Sequence, residues 1–202
     1  MARPREFDEG QVLERALEVF RAKGFEGTTL DELEQATGLG RGSLYGAFGD
    51  KRSLFLKALA LYLDTALRER VARLQQAGAG RAEIVDLFRA VARDAVRDRE
   101  RKGCMVTNCS IEFADRDPDL ACQAARSLDL FERAFAGAIR QAQARGEIAP
   151  GRDPVRLARF LTVCMEGMLV LARVRPDPAW LDDAVSAVEE ALGQMYSSTQ
   201  SS

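Results

Sequence analysis

Histidine is absent from the 202-residue sequence, and none of its four cysteines forms a Cys-X-X-Cys pair. Histidine is the commonest general base and the commonest metal ligand in proteins, so its absence disfavours an enzyme or a metal site. The sequence also contains no nucleophile motif and no phosphate-binding loop. We therefore predict no catalytic residue, no cofactor and no metal, and we expect the cysteines to pack as small hydrophobes.

Long apolar runs are also missing. The longest, such as residues 160–165, are far shorter than the roughly 20 residues that span a bilayer. At the N-terminus, Glu6, Asp8 and Glu9 interrupt any basic and apolar signal sequence. These observations predict a cytoplasmic protein with no membrane partner.

The chain also lacks an excess of positive charge, the usual mark of a nucleic-acid-binding protein. Its formal net charge is −2, and residues 1–60 hold nine lysines and arginines against ten acidic residues. Hydrophobic residues make up 47% of the chain and charged residues 30%, which is typical of a helix-rich globular protein. If this protein binds DNA, its basic groups must be concentrated on one face.

The hydrophobic residues follow the 3.6-residue period of amphipathic helices, and no strand-like alternation occurs. Glycines, prolines and capping residues divide this pattern into nine segments. The sequence thus predicts an all-α fold whose helices cover approximately residues 8–23, 30–38, 41–48, 50–76, 81–101, 104–114, 118–145, 154–173 and 178–195, with a disordered tail at 197–202.

Two short predicted helices near the N-terminus have the arrangement of a helix-turn-helix. Thr29 and Glu32 form a capping box that starts the first, and the turn 38–40 leads into the second, at 41–48. An ordinary helical hairpin has the same pattern, but the second helix needs only two apolar side chains for packing. Its other face is free for a partner, which favours a helix that reads DNA.

The free face of this helix carries groups suited to hydrogen bonding with DNA bases, and nearby helix N-termini suit phosphate oxygens. The candidate DNA-contact residues are Arg41, Gly42, Ser43 and Tyr45 on the helix, with Thr28, Thr29 and Lys51 for the phosphates.

Three sequence runs resemble the DNA-binding signature of the TetR family over about thirty residues. They are FEGTTL at 25–30, GLGRGSLY at 38–45 and FGDKRSL at 48–54. The resemblance implies that DNA is touched at the positions of Thr28, Thr29, Lys51 and the run from Arg41 to Tyr45.

The TetR resemblance also implies a domain organisation. A three-helix DNA-binding domain is expected at 1–50 and a helical ligand-binding and dimerisation domain at 51–196. One departure concerns the end of the third helix, where many family members have tyrosine or histidine and this chain has Gly46 and Ala47. Arg41 and Tyr45 are therefore expected to carry more of the base contacts.

Two C-terminal helices carry hydrophobic residues at four-three spacing, a pattern that a four-helix bundle buries. Both seams could face the chain's own core, but two-fold symmetric proteins read palindromic half-sites, which favours a homodimer. The TetR resemblance implies dimerisation through these two helices. The predicted interface residues are Leu157, Leu161, Cys164, Met168, Leu171, Leu181, Val185, Val188, Leu192 and Met195.

The predicted sixth helix carries a polar stripe, because Cys104, Asn108 and Glu112 are spaced four residues apart. A buried polar stripe needs partners, which are either neighbouring groups in structural hydrogen bonds or a ligand. Residues 103–112 also resemble a pattern in the ligand domain of a TetR subgroup. The predicted ligand-binding residues are Cys104, Asn108, Glu112, Met165, Glu166 and Met168.

These features favour a homodimeric transcriptional repressor that binds double-stranded operator DNA and is released by an unknown small-molecule effector. One alternative is a repressor that senses thiol-reactive compounds through Cys104, because cations precede this cysteine and a helix begins there. A helical adaptor without DNA binding is another hypothesis. An enzyme that uses Glu112 and Glu166 as acid and base is the least favoured.

Overall fold

The computed structural model describes residues 7–193, and all regular secondary structure in this range is helical, which confirms the predicted all-α fold. No helix of the described range is both long enough and apolar enough to cross a membrane. Met195 and the predicted tail at 197–202 lie outside the described residues. The helices are α1 (Glu9–Lys23), α2 (Leu30–Thr37), α3 (Arg41–Phe48), α4 (Lys51–Tyr62, the π-helical Leu63–Leu67 and Arg68–Gln75), α5 (Arg81–Arg97), α6 (Met105–Phe113), α7 (Pro118–Ala144), α8 (Pro154–Val174) and α9 (Pro178–Leu192).

Side-chain caps begin most of these helices. Asp8 accepts hydrogen bonds from the N–H groups of Gly10 and Gln11 at the start of α1. In the predicted capping box, Thr29 Oγ1 accepts from the N–H of Glu32 at 3.3 Å, and the Glu32 carboxylate accepts from the N–H of Thr29 at 2.9 Å. The helices α7, α8 and α9 each open on an aspartate followed by proline, which suits a first turn because proline has no N–H to satisfy.

The helix predicted at 81–101 ends earlier, at Arg97. In the loop that follows, the Asp98 carboxylate accepts a hydrogen bond from the N–H of Gly103 at 2.8 Å. Gly103 has a φ of +68°, which favours glycine, and a Cβ there would lie 2.9 Å from Cδ of Arg173. The chain therefore turns sharply before α6, and the glycine leaves room for the Arg173 side chain.

The long helix α4 links two parts of the described chain, which we call the head (α1–α3) and the body (α5–α9). Its first segment packs on α1, and its last segment packs on α7. Between them lies the π-helical segment, which the sequence-based prediction of one regular helix at 50–76 did not include. A single helix thus contacts both the head and the body.

Four phenylalanines join the head to the body in one aromatic cluster. Phe55 of α4 lies at its centre, with ring centroids 5.0 Å from Phe20 of α1 and 5.6 Å from Phe113 of α6. Phe25, in the loop after α1, lies 5.2 Å from Phe55 and 5.7 Å from Phe113. Edge-to-face aromatic contacts at these distances add to the stabilisation from burial, so the head is packed firmly against α6.

Candidate functional site

The third helix turns one apolar stripe inward and leaves the rest of its surface exposed. Leu44 and Phe48 are buried in the head, at 0% and 2% exposure. The predicted contact residues Arg41, Gly42 and Ser43 are exposed, and Tyr45 is half-buried. The N–H of Arg41 donates to the Glu34 carboxylate of α2, which fixes the start of α3 against α2. These contacts leave the outer face of α3 open to a partner.

The two threonines before α2 have different environments. Thr28 is buried at 2% exposure, and its hydroxyl donates to the carbonyl oxygen of Gly24 at 2.6 Å. The prediction that the Thr28 side chain contacts phosphate is therefore corrected, because its only hydroxyl proton is used inside the head. Thr29 is exposed at the N-terminus of α2. Lys23, and then Thr29, lower the pKa of Glu32 to about 2, so this capping carboxylate stays charged.

Lys51 lies at the N-terminus of α4, where its ammonium sits 4.5 Å from the ring centroid of Phe25. A cation over an aromatic face is attracted by the ring quadrupole, which restricts the long lysine side chain. Asp50 caps the same helix by accepting from the N–H of Ser53 at 2.7 Å. The positive group predicted to meet phosphate is thus held in place beside the head.

The polar stripe on α6 faces the head. The Glu112 carboxylate accepts hydrogen bonds from the N–H groups of Phe25 at 2.9 Å and Glu26 at 2.7 Å. Gly24, with a φ of +74°, makes room for it, since a Cβ there would lie 2.8 Å from Glu112 Oε2. The body is therefore hydrogen-bonded directly to the loop that precedes α2.

Asn108, one turn earlier on α6, connects three segments. Its amide nitrogen donates to the carbonyl oxygens of Lys102 at 2.9 Å and Arg21 at 3.4 Å, and its oxygen accepts from Arg173 of α8 at 2.8 Å. The ligand-binding roles predicted for Asn108 and Glu112 are therefore corrected. Protein groups occupy both side chains, so the alternative of structural hydrogen bonds applies.

Cys104, the third member of the stripe, lines a cavity of about 70 Å³ between α1 and the body. We call this space the junction cavity. The Tyr62 hydroxyl donates to Cys104 Sγ at 3.4 Å, and burial, followed by the neighbouring Cys104, raises the pKa of Tyr62 above its usual range. The cavity is lined by the polar residues Arg21, Tyr62, Arg70, Asp94, Asp98, Arg101, Cys104 and Arg173, and by Val91, Ala95, Gly103, Leu169 and Ala172.

The other predicted ligand-binding residues, on α8, do not line the junction cavity. Met165 and Met168 are buried in the core of the body, at 1% and 4% exposure. The half-buried Glu166 carboxylate accepts a hydrogen bond from the Thr107 hydroxyl at 2.6 Å. Burial raises the pKa of Glu166, although the Thr107 hydrogen bond opposes this effect. Of the six predicted residues, Cys104 alone lines this cavity.

The predicted interface seams of α8 and α9 lie mostly inside the chain's own core. Seven of the nine described members are buried, with at most 8% exposure, because α8 packs on α7 and α5 and α9 packs on α5. The assignment of these buried side chains to a partner subunit is therefore corrected. Leu171 is 49% exposed and Cys164 is half-buried. The seven buried side chains are Leu157, Leu161, Met168, Leu181, Val185, Val188 and Leu192.

Sequence reasoning missed most of the polar lining of the junction cavity. Arg21 of α1, Tyr62 of α4 and Arg173 of α8 come from separate helices, and Arg21 bonds to Gly103, 82 positions away along the chain. No local spacing connects such residues. One usable signal was Gly103 itself, which marks a sharp turn beside Cys104.

Two known protein families match the two parts of the chain. Residues 12–58 match the family described as bacterial regulatory proteins, tetR family. Residues 80–188 match the family described as tetracyclin repressor-like, C-terminal domain. The first match covers the head and the start of α4, and the second covers the body through most of α9.

Relatives and solved structures resemble the chain over almost all of its length. It is 37% identical over 187 residues to the uncharacterised HTH-type transcriptional regulator YezE of Bacillus subtilis (strain 168), covering 92% of this chain and 96% of that protein. It is 33% identical over 173 residues to the HTH-type transcriptional repressor ComR of Escherichia coli (strain K12), covering 85% and 82%. A cysteine mutant of the TetR family transcriptional regulator CifR, complexed with 26-base-pair double-strand operator DNA, has a TM-score of 0.83 at 31% identity, covering 94% of this chain and 99% of that one.

Replacing the half-buried Glu166 by glutamine should stabilise the protein at neutral pH. Because burial raises the pKa of Glu166, the folded chain holds a proton that the unfolded chain releases above the usual pKa of 4.5. The unfolding free energy of the wild type therefore falls as the pH rises from 4.5 through the raised pKa, whereas Glu166→Gln lacks this loss. We expect the variant to be more stable than the wild type at pH 7.5 and equal to it near pH 4, by urea unfolding at fixed protein concentration.

The matched control is Glu14→Gln on the exposed side of α1, which should change stability little at either pH. If Glu166→Gln raises the unfolding free energy by the same amount at both pH values, the raised pKa of Glu166 is contradicted. A gain that does not depend on pH cannot come from the titration of this carboxyl group.

Proposed function

The chain belongs to the TetR family of bacterial transcriptional regulators, which bind DNA, and from this premise we propose that it is a homodimeric repressor that a small-molecule effector releases from a palindromic operator. The observation that carries the DNA-binding part is the outer face of α3, where Arg41, Gly42 and Ser43 are exposed and Tyr45 is half-buried. Operator DNA places the action of such a protein in the cytoplasm. A helical adaptor would leave this face without a role.

We assign base contacts to α3 and phosphate contacts to the helix N-termini around it. A Cβ added at Gly42 or Gly46 would meet no atom within 4 Å, so neither glycine is needed for packing and the backbone can come close to the bases. Arg41 and Tyr45 supply the longer hydrogen-bonding side chains. Thr29 Oγ1 accepts from a backbone N–H of α2, which leaves its hydroxyl proton free to donate to a phosphate.

The subunit interface is proposed on the outward side of α8 and α9, opposite the buried seams. Phe160, Val163 and Val174 are 45%, 71% and 76% exposed, and with Leu171 they follow a helical stripe along α8. On α9 the small side chains of Ala179, Ser186 and Ala187 are exposed, beside the carboxylates of Asp182, Asp183 and Glu190. An apolar stripe of this length marks an interaction surface, and a symmetric pair of such stripes makes a four-helix bundle.

Coupling between effector and DNA is proposed to run through α6 and α4. We propose that the boundary between the DNA-binding domain and the ligand-binding domain lies near residues 50 and 51. The helix α4, which begins there, contacts α1 in the head and α7 in the body. The Glu112 hydrogen bonds and the phenylalanine cluster join the body to the loop before α2. A shift of α6 in the body would therefore move α2 and α3, which changes the spacing of the two recognition helices in a dimer.

A thiol-sensing repressor that uses Cys104 is the second candidate. It is supported by the position of this sulfur in the junction cavity beside several arginines. Reversible binding is favoured over thiol chemistry because Cys104 is only 7% exposed, whereas Cys122 on α7 is exposed.

Two substitutions separate base contact from phosphate contact. Arg41→Ala should weaken binding to an operator selected from random duplexes by about 1–3 kcal/mol and relax the preference at one position per half-site. Lys51→Ala should weaken binding to all duplexes and flatten the dependence on salt. Fluorescence anisotropy over a salt series measures both effects. Arg68→Ala, on the 75% exposed arginine of α4, is the control for loss of charge. Wild-type binding by both Arg41→Ala and Lys51→Ala would contradict the proposed interface.

A charge on the outward stripe of α8 should separate the subunits. Val163→Glu would bury two unpaired carboxylates in a symmetric interface, each costing several kcal/mol, so light scattering should detect monomers. Ala72→Glu on the exposed side of α4 adds the same charge elsewhere and should leave the dimer intact. A Val163→Glu dimer would mean that the interface lies on another surface.

Treatment with a mild electrophile tests the thiol alternative. If reversible binding is the mechanism, Cys104→Ser and the wild type should keep the same operator affinity after treatment, with modification confined to exposed Cys122 in mass spectra. Cys122→Ser is the control for side effects of labelling. Release of DNA by the treated wild type, lost in Cys104→Ser, would establish thiol sensing instead.

A further inference from the structure

Two adjacent basic residues at the start of α4 contact different parts of the molecule. Lys51 lies over the Phe25 ring beside the head, whereas Arg52 reaches the body at Asp117, the residue that caps α7. Arg52 Nε donates to Asp117 Oδ2 at 3.0 Å, and its Nη2 donates to Oδ1 at 3.1 Å. This bidentate geometry fixes the orientation of the guanidinium plane as well as its distance. The start of α4, and with it Lys51, is therefore tied to the body.

The Asp117 carboxylate is also held by the N-terminus of α7. Its Oδ1 accepts hydrogen bonds from the N–H groups of Asp119 at 3.1 Å and Leu120 at 3.2 Å. The N–H of Leu120 and the Arg52 guanidinium lower the pKa of Asp117, so the carboxylate stays charged at neutral pH. A partly exposed ion pair contributes little unless its geometry is favourable, and here the bidentate contact and the helix cap together restrict the carboxylate.

Asp117 is further connected to α6, the helix whose Glu112 holds the loop before α2. The N–H of Asp117 donates to the carbonyl oxygen of Phe113, the last residue of α6, at 3.2 Å. The C-terminal end of α6 thus holds the head at two places, through Glu112 at the loop before α2 and through Asp117 at the start of α4. One contact acts as a pivot, whereas a second contact on a different element opposes rotation about it.

We propose that Arg52 and Asp117 are positioning residues for operator binding, which hold the two recognition helices of a dimer at the angle that one half-site spacing requires. This inference rests on the proposed function, because it assigns part of the operator specificity to a body residue that does not touch DNA. Lys51 is assigned to phosphate, whereas Arg52 keeps its guanidinium on Asp117. Removing either member of the pair allows the head to turn, so the dimer accepts other half-site spacings and binds the correct one less tightly.

The test compares two duplexes, the operator selected by the wild type and a version with one base pair inserted between its half-sites. The insertion rotates one half-site by about 35° relative to the other, so the wild type should prefer the selected operator at least tenfold in fluorescence anisotropy. Asp117→Asn removes the charge but keeps a good helix cap, and it should lower this preference at least threefold. Arg52→Gln should lower it equally, and the double variant should be no worse than either single variant.

The ratio of the two affinities separates positioning from stability. A loss of folded protein weakens the binding of both duplexes by the same factor and leaves the ratio unchanged. Asp153→Asn is the matched control, because Asp153 caps α8 in the same way and forms no ion pair within residues 7–193. Arg68→Gln controls for the loss of an arginine from α4. Both controls should keep the wild-type ratio.

A wild-type ratio in both Asp117→Asn and Arg52→Gln would overturn the proposal. If Arg52 contacts phosphate instead, Arg52→Gln should bind both duplexes less tightly with a flatter salt dependence, and Asp117→Asn, which frees the arginine, should bind both more tightly. That result would also overturn the positioning role. Equal binding of the two duplexes by the wild type would remove the spacing requirement that the pair is proposed to enforce.

Pulsed electron paramagnetic resonance measures the distance between the two heads without DNA. A nitroxide is attached through Gln35→Cys on the exposed side of α2, in a background of Cys122→Ser and Cys164→Ser. The distance distribution should be broader in both variants of the ion pair and unchanged in the Asp153→Asn control, and equal widths would overturn the proposal. A protein that shows this broadening but binds no duplex would refute the repressor function and leave the positioning role standing.

Discussion

The hydrogen bonds from Phe25 and Glu26 to the Glu112 carboxylate determine how the head sits on the body. Both donors are backbone N–H groups, so the carboxylate fixes the path of the chain itself and not a side chain that can rotate. Charge-assisted hydrogen bonds of this kind are stronger than neutral ones. Because α2 begins only four residues after Glu26, its direction, and that of α3 behind it, follow from this contact.

Around this contact the two halves of the molecule share one core. The ring of Phe25 enters the cluster of Phe55 and Phe113 while its N–H bonds to Glu112, so a polar and an apolar interaction hold the same residue. Arg21 adds a third connection through the carbonyl oxygen of Gly103. The head therefore cannot tilt without disturbing side chains that also line the junction cavity.

Local signals in the sequence predicted the helices well, because caps and prolines act within a few residues. The Thr29 capping box and the aspartate–proline starts of α7, α8 and α9 lie where the sequence placed them. Periodicity also identified the buried seams and the stripe on α6, but it gives only the angular position of a side chain on its helix. It cannot tell whether Leu192 meets its own core or a partner, or whether Glu112 meets a ligand or the backbone of Phe25. Adjacent Thr28 and Thr29 differ for the same reason, since only the three-dimensional path of the loop decides which one turns inward.

The π-helical segment of α4 has a consequence for the phase of that helix. Its buried residues are 54, 55, 58, 59, 62, 67, 71 and 74, so the step from Tyr62 to Leu67 is five residues where a regular helix would use three or four. One residue turns an α-helix by about 100°, so this extra residue rotates the second half of α4 relative to the first by about a quarter of a turn. Such an insertion is what allows one helix to present Phe55 to the head and, beyond Tyr62, Arg70 to the junction cavity. A single additional residue in α4 thus sets the angular offset between the part of the helix that faces the head and the part that faces the junction cavity.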